Sequence, residues 1–269
     1  MGEIEVIQTT SSEWNETPPL LFVHGGANHA AWCWREYFLP FFQAHGFQSY
    51  AISFRGGHGQ SDGYEKLHTY TMDDYVEDVY RVLQTFEQKP IIIGHSMGGA
   101  VVQKIMHQHP DRVDSAVLLA SIPPGGMLKD LIRLLFKHPK KFFQLQLYNQ
   151  GKTTNFPVDL FLYDEKPGEK YDLNQKLQPE SIKASSDCLK RVVPKNTIAQ
   201  VPPLLVLGTD EDAMISKKTT HSIGRFYRTE PIIFSEMGHD MMLGSRWQEV
   251  AEHILAFTIK RRTEWKNEA

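Results

Sequence analysis

Two cysteines in 269 residues, Cys33 and Cys188, are too few for a disulfide framework, so reduced thiols are expected. No apolar run reaches the roughly 18 residues that a membrane-crossing helix needs. A formal net charge of −3, with no basic block longer than "IKRRTEWK" near the end, excludes a nucleic-acid surface. The opening "MGEIEVIQTTSSEW" has neither a basic n-region nor an apolar h-region, so no leader is expected there. Val6 stands where a myristoylation signal needs Ser or Thr. Repeats and low-complexity tracts are missing too. "GKT" at 151–153 is not a phosphate loop, because Gln146 occupies the position of the required first glycine. Without H-E-x-x-H or Cys/His ligand spacing, no metal or organic cofactor is expected. The remaining expectation is a cytoplasmic protein with no nucleic-acid partner and no integral membrane segment.

What the chain does have is short, continuous apolar runs. They lie at 19–26, 49–54, 90–96, 114–121, 202–210 and 231–236. Continuous rather than alternating runs are typical of strands covered on both faces. Helix-period segments separate most of them. The clearest places Met72, Tyr75, Val79, Val82 and Phe86 at three- and four-residue steps, with Thr71 and Asp74 spaced as a capping box. The pattern predicts an α/β fold with a mostly parallel central sheet of six to eight strands and helices on both faces.

Residues 125–200 break that rhythm. They hold helical segments joined by Pro- and Gly-bearing turns, and such a length is too great for an ordinary connection. The expected organisation is a core at 1–124 and 201–269, with 125–200 as a helical cap over the carboxyl edge of the sheet. Leu131, Leu135, Phe136, Phe142, Phe143, Phe156, Phe161 and Leu162 are the candidates for an apolar substrate pocket beneath it.

The run at 90–106, "PIIIGHSMGGAVVQKIM", goes from strand to helix through Gly-His-Ser-Met-Gly. Glycines there permit a sharp turn that exposes Ser96, and the following helix aims its free amides at the same spot. A nucleophilic serine also needs a base, a group to orient the base, and donors for an oxyanion. Of twelve histidines, His239 stands just past the last apolar run, beside Gly238. His221, His107 and His109 fall in helical segments instead. The loop after the preceding run offers three acids, Asp210, Glu211 and Asp212. "HGG" at 24–26 follows the first long run, where a glycine amide can approach a substrate oxygen, with the Met97 amide as its partner. Cys33, within "AAWCWREYF", is expected to be buried and inert.

These residues together resemble the α/β-hydrolase fold superfamily over essentially the whole chain. The likeness rests on "HGG", "RGGHGQS", "GHSMGG", "GTDEDAMIS" and "GHDMML" in that order. The resemblance implies that Ser96 is the nucleophile, His239 the base and Asp212 the acid, with the amides of Gly26 and Met97 holding the oxyanion. It places the cap after the sixth family strand. The similarity is greatest to serine esterase and lysophospholipase types and to their plant methylesterase and hydroxynitrile lyase relatives. Asp240 stands where the lyases have lysine, which argues against cyanohydrin cleavage, and "RGGHGQS" carries one extra glycine. The short N-terminal segment leaves room for one strand or a hairpin, favouring six or seven strands. The expected activity is cleavage of a small-molecule carboxylic ester with a lipophilic acyl or aromatic part. Thioester cleavage, acyl transfer, or a ligand receptor with weak turnover would use the same residues.

Overall fold

Successive residues of the central strands face opposite sides of the sheet and build two separate cores. Leu21, Val23, Ile92, Ala116 and Leu118 enter one, and Leu20, Phe22, Ile93, Val117 and Leu119 enter the other. In the computed structural model, residues 2–9, 17–26, 29–163, 175–195 and 201–268 are described. The strands are β1 (Val6–Thr9), β2 (Leu20–Val23), β3 (Ser49–Ile52), β4 (Ile91–His95), β5 (Ser115–Leu119), β6 (Leu204–Thr209) and β7 (Ile232–Phe234). They form one sheet in the order β1-β3-β2-β4-β5-β6-β7. β1 is antiparallel to β3, and every other neighbouring pair is parallel. Seven strands fall within the expected six to eight, and the N-terminal segment supplies one of them.

The helices described are α1 (Trp32–Arg35), α2 (Phe38–Ala44), α3 (Met72–Leu83), α4 (Ser96–Gln108), α5 (Leu128–Lys137), α6 (Pro139–Asn149), α7 (Ile182–Asp187), α8 (Lys217–Tyr227) and α9 (Trp247–Glu268). α1, α2 and α9 cover one face through Trp34, Phe38, Phe42, Val250 and Ile254. α3, α4 and α8 cover the other through Tyr75, Val79, Val101, Ile105 and Ile223. The start of α3 is a capping box: Asp74 N–H donates to Thr71 Oγ1 (3.3 Å), and Thr71 N–H donates to Asp74 Oδ2 (2.7 Å). α3 ends at Leu83, and Phe86 packs from the turn beyond it against Tyr50 at 4.8 Å.

Between β5 and β6 the described residues hold α5, α6, α7 and a short 3-10 turn at Val158–Leu160, with no strand. Residues 164–174 and 196–200 of the expected cap lie outside the described residues. α5 and α6 meet at His138, which precedes Pro139; a residue before proline disfavours helix, so the chain bends there. Leu134, Leu145, Tyr148, Leu177 and Ala184 join the same core as α3 and α4, so the inserted helices dock on that side. Parallel strands bring their carboxyl ends to one edge. The segments after β2, β4, β6 and β7 therefore meet there, and these carry the candidate residues.

Candidate active site

Ser96 has φ 50°, a left-handed conformation that costs a side-chain-bearing residue on the order of 1 kcal/mol. The surroundings hold it there. A Cβ on Gly94 would lie 2.6 Å from the Gly98 carbonyl oxygen and 2.7 Å from Val102 Cγ2. A Cβ on Gly98 would lie 2.5 Å from the Val23 carbonyl oxygen and would also overlap that of His24. The glycines let α4 press directly onto β4 and the end of β2, which leaves Ser96 at the apex of the turn.

His239 Nε2 is 2.9 Å from Ser96 Oγ, and its Nδ1 is 2.8 Å from Asp212 Oδ2. Asp212 is the buried acid of the loop after β6, whereas Asp210 and Glu211 are exposed. Its other oxygen accepts the Met214 and Ile215 amides, both at 2.7 Å, which sets the carboxylate plane. Asp210 accepts instead from the Glu236 amide at 3.0 Å. Of the helical histidines, His107 pairs with the Tyr227 hydroxyl at 3.2 Å, and His221 lies within α8. Gly26 and Met97 are neighbours: a Cβ on Gly26 would sit 3.0 Å from Met97 Cε, and both line the cavity that Ser96 faces.

Behind these residues is a buried polar layer that the sequence reading missed. The His29 Nε2–H donates to Asp240 Oδ2 at 3.0 Å, and its Nδ1 is 3.2 Å from the Gly26 carbonyl oxygen. Burial would lower the His29 pKa, but the charge and hydrogen bond of Asp240 outweigh it and raise it. Burial would likewise raise Asp240, and His29 holds it below its ordinary value. The pair ties the Gly26 turn to the segment that bears His239. His95 is pushed down to about 3 by burial and then by His239, so it is neutral and donates Nε2–H to the His239 carbonyl at 3.0 Å. His95, His239 and Asp240 offer ligand atoms within 4.8 Å of one another. Both ring nitrogens of His239 are already engaged by Asp212 and Ser96, so the group is built as a hydrogen-bond network rather than as a metal centre.

Ser96 opens into a cavity of about 310 Å³. Leu131 and Phe161 line it, and the Phe161 ring is 5.6 Å from that of His239. The other six pocket candidates do not. Phe136 is 80% exposed, because Leu131 and Leu134 face inward and the 100° step of α5 turns it outward; on α6, where Leu145 and Tyr148 are the buried residues, Phe143 is 58% exposed. Leu135 is half-buried, and Phe142 packs edge-on to Phe143 at 5.4 Å. Phe156 is buried against Tyr148 and Phe161, at 5.1 and 4.9 Å. Leu162 lines a separate small hollow beside Gly238 and Asp240. In their place the cavity wall takes Ile122, Met127, Leu145, Glu180, Leu189 and Met214, from segments that no periodicity connects. Cys188 also lines it; burial raises its thiol pKa first and Glu180 adds to that, so it is inert. Cys33 is buried as expected, its thiol raised by burial and then by Asp240.

Burial pushes the Glu180 carboxyl from 4.5 up to about 7, against the pull of Ser181, Tyr75 and His29. The unfolded chain releases this proton at lower pH than the folded one, so rising pH between these values favours unfolding. At ~1.4 kcal/mol per pH unit the loss is on the order of 3 kcal/mol, complete above about pH 7. Glu180→Gln is therefore expected to be more stable than wild type at pH 8, with the gain shrinking toward pH 5. Urea unfolding at the two pH values checks this; a gain of the same size at both would contradict it.

A family model described as alpha/beta hydrolase fold matches residues 18–158. The chain is 25% identical over 210 residues to the pFDCC methylesterase MES16 of Arabidopsis thaliana, covering 71% of this chain and 76% of that one. It is 26% identical over 175 residues to methylesterase 18 of the same plant, covering 57% of this chain and 64% of that one, which is under two thirds of that relative's length. Among solved structures, the esterase EaEST from Exiguobacterium antarcticum superposes with a TM-score of 0.73 at 15% identity, covering 96% of each chain. At that identity the likeness is one of fold. Among the described residues, no helix is long and apolar enough to cross a membrane.

Proposed function

Because this chain belongs to the alpha/beta hydrolase fold family, we propose that it is a carboxylic ester hydrolase with Ser96 as its nucleophile. The observation that carries this reading is the unbroken line from Asp212 through His239 to Ser96, with steps of 2.8 and 2.9 Å. Ser96 Oγ attacks the acyl carbon as its proton passes to His239 Nε2. The amides of Gly26 and Met97 hold the oxyanion, and Asp212 stabilises the imidazolium. The alcohol leaves with the proton from His239, and an ester to Ser96 remains. Water then attacks that ester, giving its proton to His239, and the free acid departs as Ser96 recovers its hydrogen.

The helical insertion acts as a cap, since α5, α6 and α7 or their flanks supply most of the cavity wall. A cavity of about 310 Å³ is at the small end for ligand sites and is lined mainly by apolar groups near Ser96, which supports a compact ester with an apolar portion. The resemblance to plant methylesterases supports a small alcohol as the leaving group. Two free, buried cysteines support a reducing, cytoplasmic setting.

The test pairs a fluorophosphonate probe with p-nitrophenyl esters of graded acyl length. Expected are a probe adduct on the peptide bearing Ser96 and turnover that falls once the acyl chain outgrows the cavity. Neither should be seen with Ser96→Ala. Labelling and hydrolysis by wild type no faster than by Ser96→Ala would end the esterase reading and turn attention to acyl acceptors and tightly bound ligands.

A further inference from the structure

Glu180 lies two residues before α7, is 1% exposed, and lines the same cavity as Ser96. Its two oxygens differ. Oε1 accepts from the Tyr75 hydroxyl at 2.9 Å and the Ser181 amide at 2.7 Å, with His58 Nε2 at 3.5 Å. Oε2 has no hydrogen-bond partner among the described residues. Asn149 Oδ1, also on the cavity wall, is a second buried acceptor without a partner among the described residues. A carboxylate can only accept, and buried acceptors are almost always matched to donors, so an unmatched one beside a cavity marks where a ligand completes the set.

The source of the polarity points the same way. The core contributes Met97, Ile122 and Met214 to the wall, and Ser96 is its one polar side chain there among the described residues. Every other polar side chain on the wall belongs to the insertion: Gln146, Asn149, Gln150, Glu180, Ser185 and Ser186. The groups around Glu180 do not supply the missing donor. The Tyr75 hydroxyl is spent on Oε1, Cys188 is a weak donor held protonated by burial, and His58 lies with its Nε2 3.5 Å from Oε1 rather than at Oε2.

We propose that Glu180 is a specificity-determining residue whose Oε2 accepts a hydrogen bond from an O–H or N–H group on the substrate. The preferred ester then carries a hydroxyl or amide donor rather than a plain alkyl chain. This rests on the esterase reading and adds to it the polarity of the substrate.

The test compares p-nitrophenyl ω-hydroxyalkanoates with plain alkanoates and ω-ketoalkanoates of equal length, at pH 8.5. Wild type is expected to favour the hydroxyl series at the best-fitting length by about tenfold or more in kcat/KM, mostly through KM. In Glu180→Gln the amide oxygen keeps the Tyr75 and Ser181 bonds and the NH₂ takes the place of Oε2. That NH₂ donates to a keto or a hydroxyl oxygen alike, so the keto series gains and the hydroxyl preference over it collapses. A structural role alone would not raise the keto series selectively. Equal kcat/KM across the three series in wild type, or one ratio shared by wild type and Glu180→Gln, overturns the proposal. Calorimetric binding of 1,8-octanediol against 1-octanol repeats the test without turnover. Equal affinities there overturn the Glu180 assignment, whereas tighter diol binding without ester hydrolysis would sink only the esterase reading.

Discussion

Asp212→Asn is expected to lower kcat/KM on activated esters by about 10⁴-fold while leaving the fold intact. The two oxygens of Asp212 have different partners. Asp212 Oδ1 accepts two amides, from Met214 and Ile215 at 2.7 Å each, and an asparagine oxygen placed there keeps both. The amide nitrogen must then occupy the position of Oδ2, 2.8 Å from His239 Nδ1. Two donors cannot face each other, so Nδ1 gives up its proton and accepts, and the imidazole proton moves to Nε2. That nitrogen, 2.9 Å from Ser96 Oγ, can no longer take the serine proton. The measurement is kcat/KM on a p-nitrophenyl ester together with the melting temperature. A loss under tenfold with unchanged melting would mean that Asp212 does not set the tautomer.

Gly98→Ala is expected to be strongly destabilising for the addition of a single methyl group. The added carbon would lie 2.5 Å from the Val23 carbonyl oxygen and overlap that of His24, and both are backbone atoms in a buried strand end. Neither can swing aside, so α4 must lift from β2 and β4. Overpacking of this kind costs typically about 1–3 kcal/mol, and with backbone on the far side the upper part of that range applies. For a chain of this length, that lowers the melting temperature by roughly 10 °C. Activity should fall further than stability, because the same displacement moves Ser96 and the Met97 amide together. Gly125→Ala is the control: apart from its chain neighbours, no atom of the described residues lies within 4 Å of its added carbon and its φ is not positive, so its melting temperature should stay within a degree or two. Equal melting of the two variants would show that α4 has slack that the contacts do not indicate.

Much of this was legible in the amino-acid order because the relevant physics is short-range. Apolar runs buried on both faces predicted the strands, and six of them appear in the sheet within two or three residues of the expected limits. Thr71 and Asp74 are three residues apart, so their reciprocal cap needs nothing beyond one turn of helix. The turn at Ser96 is likewise local, although the reason for its glycines is not. Their role is close approach to β2 and to the helix's own backbone, which only the packed structure displays.

The sequence by itself determined the fold class, the positions where strands end, and the candidate serine, histidine and three acids of one loop. The resemblance singled out Asp212 among these acids, and the tertiary structure supplies the physical reason that it meets the histidine. Asp212 alone of the three is buried, because its neighbours Asp210 and Glu211 turn to solvent. The tertiary structure decided the cavity wall. A helix has one inward face, and which residues of α5 occupy it follows from how the whole insertion docks on the core: Phe136 is outside and Leu131 inside. Glu180, and Asp240 with His29, carry no local signature. A buried charge is defined by what surrounds it, and here those surroundings come from residues 105 and 211 positions away in the chain.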